Sequence, residues 1–317
     1  MLNKDNNMTF AFFFAGQGSQ SLNMMNGFDG ENVVRETFDE ASAALNEDLW
    51  AMMNGDNADT YPCTTVNTQP LMLAAGVATY RAYLAAGGKA PSVVAGHSLG
   101  EYSALVAAGS LHFADAVKLV RVRAELMQSA VPQGVGAMAA ILGLDDDVVR
   151  QICADAEQGE VCEAVNYNSV GQIVIAGNAA AVERAMATAI EAGAKRALPL
   201  PVSVPSHCRL MKPAAEKLAD YLQNVAFNQP KIRVIHNADV ASYNDVAQIK
   251  DALVRQLYSP VRWTETVNLL VNEGIAQSAE CSPGKVLAGL AKRINKDAVC
   301  TALTSQAAVE EFIAAHS

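Results

Sequence analysis

Gly96-His97-Ser98-Leu99-Gly100 is a Gly-x-Ser-x-Gly turn. It lies between an apolar run, residues 92–96, and a stretch of helical character, residues 101–109. A serine on such a sharp strand-to-helix turn stands out of the sheet. Unsatisfied N–H groups at the helix start can hold an anion beside it. That is the setting of a serine that becomes acylated. An ordinary βα turn with a capping serine has the same pattern.

A nucleophilic serine needs a base, and the chain offers five histidines. His97 adjoins Ser98, and its ring is expected to point away from the hydroxyl. His112 follows the Gly109 helix stop, and His316 is next to the last residue. His236 ends the apolar run 231–237 and stays a candidate. His207, in the segment VPSHCRLMKP, is preferred. It falls where a small inserted unit ends and a larger one resumes, beside the expected cleft.

The run 114–130 has helical spacing and two faces. Lys118, Arg121, Glu125 and Gln128 form a polar stripe, with Arg121 and Glu125 able to pair at i, i+4. Leu119, Arg123, Leu126, Met127 and Ala130 share another, apolar face. A cation there needs an anion or a hydrogen-bonded site. The forked guanidinium suits a carboxylate, so Arg123, with Met127 on the same face, is expected to line a substrate site. Snorkelling to water or pairing with a buried acid would also account for Arg123.

These residues need a frame. Residues 9–16 read as a first strand, followed by the Gly-rich GQGSQ. A helix is expected from about Pro70 to Tyr83, capped by Asn67 or Thr68, with Pro70 in its first turn. Strands alternating with helices imply a parallel sheet covered on both faces. After residue 130 the rhythm becomes strand, helix, two strands, helix and extended segment, the βαββαβ order of a split βαβ unit. The α/β rhythm then returns. The expectation is an α/β protein with a large domain, 1–130 and 205–317, interrupted by a small ferredoxin-like domain, 131–204.

The chain has 317 residues, 51% of them hydrophobic, enough for a sizeable core. Its net charge of −10 argues against nucleic acid as a partner. Cys63, Cys153, Cys162, Cys208, Cys281 and Cys300 form no C-x-x-C pair and no zinc-like spacing with histidine. No metal is expected, and each thiol reads as a small buried hydrophobe. No apolar run is long enough for a bilayer, and the polar start lacks a signal-peptide core. A cytoplasmic protein with reduced thiols and no membrane contact follows, expected as a monomer. The seven residues before Met8 read as an extension.

The segments FAGQGSQ, AGHSLGEYSAL, VRAELMQSAVPQGVGAMAAILGL, NYNSVGQIVIAG, VSVPSHCRLMKP and LVRQLYSPVRW occur in that order. Together they resemble the malonyl-CoA:acyl carrier protein transacylases of bacterial type II fatty acid synthesis, across nearly the whole chain. The resemblance implies an α/β-hydrolase-like large domain with a ferredoxin-like insert. It implies transfer of malonyl from malonyl-CoA to the phosphopantetheine thiol of acyl carrier protein through malonyl-Ser98. His207 would be the base, and Gln17 with the Leu99 N–H would form the oxyanion hole. Arg123 would bind the malonyl carboxylate, and Gln256 would orient His207 through its backbone carbonyl. Asn166 and Gln172 match motif positions near the site, and Ser206 matches the malonyl-selecting form. No cofactor is implied, because coenzyme A belongs to substrate and product. Ala15 and Ser282 depart from the usual Pro and Gly.

The carrier protein is acidic, so a local basic surface is expected: Lys285, Lys292, Arg293 and Lys296, or Lys195, Arg196, Arg209 and Lys212. A serine esterase or thioesterase is the alternative reading. Its histidine normally lies near the C-terminus, whereas 110 residues follow His207 here. A non-catalytic scaffold that binds carrier protein is a third.

Overall fold

The computed structural model describes residues 9–55, 64–202 and 204–316. Residues 1–8 and Cys63 lie outside them. In chain order the elements are β1 (Phe10–Phe14), α1 (Asn32–Leu45), α2 (Leu49–Asn54), α3 (Thr65–Ala85), β2 (Val93–Gly96), α4 (Gly100–Ala107) and α5 (Phe113–Ser129). Then come β3 (Gly136–Leu142), α6 (Asp146–Ala156), β4 (Cys162–Ser169), β5 (Gln172–Asn178), α7 (Ala179–Glu191) and β6 (Arg196–Pro199). The chain closes with α8 (Lys212–Leu222), β7 (Arg233–Ile235), α9 (Val246–Gln256), α10 (Trp263–Asn272), β8 (Gln277–Glu280), α11 (Val286–Ile294), β9 (Val299–Ala302) and α12 (Gln306–Ala315).

Among the described residues, five strands form a parallel sheet in the order β7-β2-β1-β8-β9. β1 and β2 are buried at every position, as strands covered on both faces must be. Phe12 pairs with Val94 on one side and Ala279 on the other, so the strand before Ser98 lies next to the middle of the sheet. A second, antiparallel sheet has the order β4-β5-β3-β6. Ile141, Ile152, Ile173, Ile175 and Val182 make a separate core between this sheet and helices α6 and α7. The antiparallel sheet joins the rest of the chain where β4 runs beside Val261, in the link between α9 and α10. The Tyr167 N–H donates to the Val261 carbonyl at 3.0 Å, and the Val261 N–H donates to the Val165 carbonyl at 2.8 Å.

Several expectations need correction. α3 starts at Thr65, not Pro70, because Thr64 caps it by accepting from the Asn67 N–H. Pro70 therefore sits inside the helix. The added turn brings Thr65 and Gln69 to the site described below. Arg121 pairs with Glu47, at 2.7 and 2.8 Å, and not with Glu125, because the chain after α1 presents that carboxylate. The sequence reading also has no counterpart for α1, α2, α10, α11 or β8. β8, Gln-Ser-Ala-Glu, carries three polar residues in four yet pairs on both edges. Cys153, Cys162, Cys208 and Cys281 are buried free thiols, and Cys300 is half-buried. Among the described residues no helix is long and apolar enough to cross a membrane.

Candidate active site

Both glycines of the turn are required by space. A Cβ on Gly96 would lie 1.8 Å from the Gly100 carbonyl carbon, and one on Gly100 would lie 2.0 Å from the Phe14 carbonyl oxygen. The close approach of α4 to β1 and β2 forces Ser98 into left-handed backbone, φ 52°. His207 is left-handed too, φ 67°. Such conformations cost on the order of 1–3 kcal/mol each and persist only when the surroundings impose them.

The two side chains meet. Ser98 Oγ is 2.7 Å from His207 Nε2. His207 Nδ1 is 2.8 Å from the Gln256 carbonyl oxygen. A carbonyl only accepts, so Nδ1 carries the proton and the Nε2 lone pair faces the serine. Burial and the neighbouring Arg123 cation push the His207 pKa down to about 3. The imidazole is therefore neutral near pH 7 and able to accept a proton.

Arg123 is 1% exposed. Its Nη1 donates to Gln69 Oε1 at 2.8 Å, and its Nη2 donates to Gln256 Oε1 at 2.9 Å and to Ser98 Oγ at 3.3 Å. Every one of these acceptors is a neutral oxygen. The Tyr102 ring packs against the guanidinium, 5.3 Å from centre to centre. Burial lowers the Arg123 pKa, opposed by Tyr102 and Glu101.

A cavity of about 360 Å³ opens over the Ser98–His207 pair, within the range of small-ligand sites. Gln17, Leu99, Met127, Asn166 and Ser206 line it together with Ser98, Arg123 and His207. The Gln17 and Leu99 N–H groups make no hydrogen bond among the described residues. Met138 on β3 and Leu200 after β6 close the side toward the antiparallel sheet. Gln172 is not there. It begins β5 opposite Leu142, the far end of β3 from Met138 and the cavity, and its Oε1 accepts from Arg293 at 3.3 Å. His97, expected to point away, also lines the cavity and bonds Asn168 Oδ1 at 2.8 Å.

His236 does not approach Ser98 as a base. Its Nδ1 is 2.6 Å from Glu101 Oε1, beneath the turn. Gln69, Glu101 and Asn237 are buried site residues that sequence reasoning missed. For Glu101 a signal was present: it is the one charge in an otherwise apolar helix, as Arg123 is on its face. Arg209 is committed to Glu157 and Glu163, and Lys212 lies over the Tyr258 ring. Ser282, a departure from the usual Gly, donates to the buried Glu280 at 2.9 Å.

A serine, a neutral imidazole in contact with it, free N–H groups beside it and an isolated cation can together accept an acyl group that carries an anion. Residues 11–311 match the acyl transferase domain family. The chain is 54% identical to malonyl CoA-acyl carrier protein transacylase of Escherichia coli, over 95% of this chain and 97% of that one. The transacylase of the same name from Haemophilus influenzae is also 54% identical, over 96% and 99%. The solved acyl-carrier-protein S-malonyltransferase of Burkholderia pseudomallei superposes with a TM-score of 0.94 at 56% identity, covering 97% of this chain and 100% of that one. A malonyl-transacylase solved in complex with its type II PKS acyl-carrier protein superposes with 0.95 at 49%, covering 97% and 99%. The chain belongs to the malonyl CoA-acyl carrier protein transacylase family of acyl transferases.

Proposed function

We propose that this protein moves malonyl from malonyl-CoA to the phosphopantetheine thiol of acyl carrier protein. The observation that carries the reading is a buried guanidinium 3.3 Å from a serine that a neutral histidine contacts. Ser98 Oγ bonds to the thioester carbonyl carbon while His207 Nε2 takes its proton. The carbonyl oxygen becomes an oxyanion held by the Leu99 and Gln17 N–H groups, a kind of contact whose loss costs roughly 3 kcal/mol. The C–S bond breaks, and coenzyme A leaves as a thiol with the His207 proton. The carrier thiol then repeats the sequence on malonyl-Ser98. Arg123 holds the malonyl carboxylate throughout, and Gln256 fixes the His207 tautomer. Met127, Asn166 and Ser206 shape the acyl pocket. Each step uses only proton transfer and acyl exchange, so no metal or redox cofactor enters it.

The same reading divides the chain into an α/β-hydrolase-like domain, 1–130 and 205–317, and a ferredoxin-like insert, 131–204. The βαββαβ order and the strand order β4-β5-β3-β6 support the insert. The protein would act in the cytoplasm as a monomer. The exposed cations of α11 are the better docking patch, since Arg209 is already paired with carboxylates.

Intact mass spectrometry after malonyl-CoA, then after holo carrier protein, tests the transfer. A malonyl adduct on Ser98 that moves to the carrier is expected. Release of free malonate without carrier acylation would return the reading to an esterase. Arg123→Ala should cut malonyl transfer at least 100-fold, by loss of a charge-assisted pair worth roughly 3 kcal/mol, and favour acetyl-CoA relatively.

A further inference from the structure

Glu101 is wholly buried one turn below Ser98. Two amide donors and one imidazole nitrogen face its carboxylate. His236 Nδ1 is 2.6 Å from Oε1, the Asn237 N–H 2.9 Å from Oε2, and Gln256 Nε2 3.1 Å from Oε2. Oε2 accepts from two amide donors, one backbone and one side chain. Each of its partners leads back to the reacting pair. Gln256 Nε2 also donates to the Ser98 carbonyl at 2.9 Å, and the Gln256 backbone carbonyl accepts from His207. Asn237 Oδ1 accepts from the Ser98 N–H at 2.7 Å, while its Nδ2 donates to the Gly96 carbonyl at 2.6 Å.

We infer that Glu101 is a positioning residue for the Ser98–His207 pair, doing at one remove what a triad carboxylate does in direct contact. The inference rests on the reading of Ser98 as nucleophile and His207 as base. Beside the reacting pair, Arg123 and the Glu101 carboxylate are joined by the Gln256 side-chain amide. When His207 takes the serine proton, a second cation forms beside Arg123. The Glu101 anion offsets it through the aligned Gln256 amide. A hydrogen bond to the Ser98 carbonyl, another to its N–H and the orienting of Gln256 all depend on the same carboxylate. The left-handed backbone of Ser98, imposed by the close approach of α4 to the strands, is thus also held from below through the partners of Glu101.

The role predicts a specific kinetic signature. Glu101→Gln keeps the shape and removes the charge. Its kcat for Ser98 acylation should fall about 10- to 100-fold, the range known for outer partners of metal-ligating histidines. The KM for malonyl-CoA should stay within about 3-fold, because the acyl carboxylate meets Arg123 and not Glu101. Malonyl-CoA and acetyl-CoA should slow by the same factor. Glu101→Asp, which keeps the charge at shorter reach, should lie between the glutamine variant and the wild type. If Glu101→Gln does not fold, the aspartate variant decides alone, and wild-type kcat in it overturns the proposal. An unchanged kcat in a folded Glu101→Gln overturns it too. So does a raised KM with loss of malonyl preference, which would make Glu101 a support for Arg123. Absence of malonyl-Ser98 in the wild-type arm would instead remove the nucleophile reading itself.

Discussion

His207 is 2% exposed and shares its cavity with a guanidinium, and these two facts set its titration. Its folded pKa of about 3 lies below the ordinary 6.5. The acid limb of acylation rate against pH should therefore fall well below pH 6.5. Arg123→Ala removes the nearest cation and should move that limb upward; acetyl-CoA as acyl donor measures this without the lost carboxylate contact. Stability follows the same sign. Between about pH 3 and 6.5 the unfolded chain binds a proton that the folded chain refuses. Stability should therefore fall as pH drops through that window, and His207→Gln should flatten that part of the melting-temperature profile. Ser98, His207 and Arg123 are legible in the sequence because each breaks a local pattern: a strained turn, a junction, a charge on an apolar face. Gln69 and Asn237 break none. Their importance exists only because α3 and the end of β7 reach the same point from 54 and 139 residues away.

Elements decide how tightly that point is held. α4 lies so close to β1 that Gly100 has no room for a methyl group, its neighbour being rigid backbone. Gly100→Ala should cost about 3 kcal/mol or more, at the upper end of overpacking, because a carbonyl cannot swing aside as a side chain can. Thermal melting or soluble yield checks it. The βαββαβ order was readable, since β3 largely alternates buried and half-buried positions and α6 and α7 each have one buried face. The start of α3 was not, because the proline rule for first turns pointed to residue 70 while Thr64 offered the better cap. β8 was not either. Its burial comes from neighbours on both sides, and Glu280 at its end is satisfied by Ser282 and the Ala288 N–H.

The whole molecule carries a net charge of −10, yet Lys285, Lys292, Arg293 and Lys296 are exposed along α11 and its ends. Among the described residues the three lysines enter no ion pair within 4.0 Å. An acidic partner would be steered to this side against the overall field. Reversing Lys285 and Lys292 to Glu should raise the KM for carrier protein several-fold while leaving acylation by malonyl-CoA alone. Equal carrier KM would move the docking face elsewhere. The alternation of strands and helices made the two-sheet architecture legible. The convergence of α3, α5, β3 and β4 on one cavity was not, since it depends on how the layers pack and not on any single stretch.

Arg123 faces only neutral oxygens, so the resting protein holds an unspent positive charge at the floor of its cavity. Small carboxylates in solution will compete for it. Acetate or malonate buffers should therefore act as competitive inhibitors against malonyl-CoA and leave the acetyl-CoA reaction of Arg123→Ala untouched. The choice of buffer, ordinarily a matter of convenience, becomes a direct reading of how available that charge is.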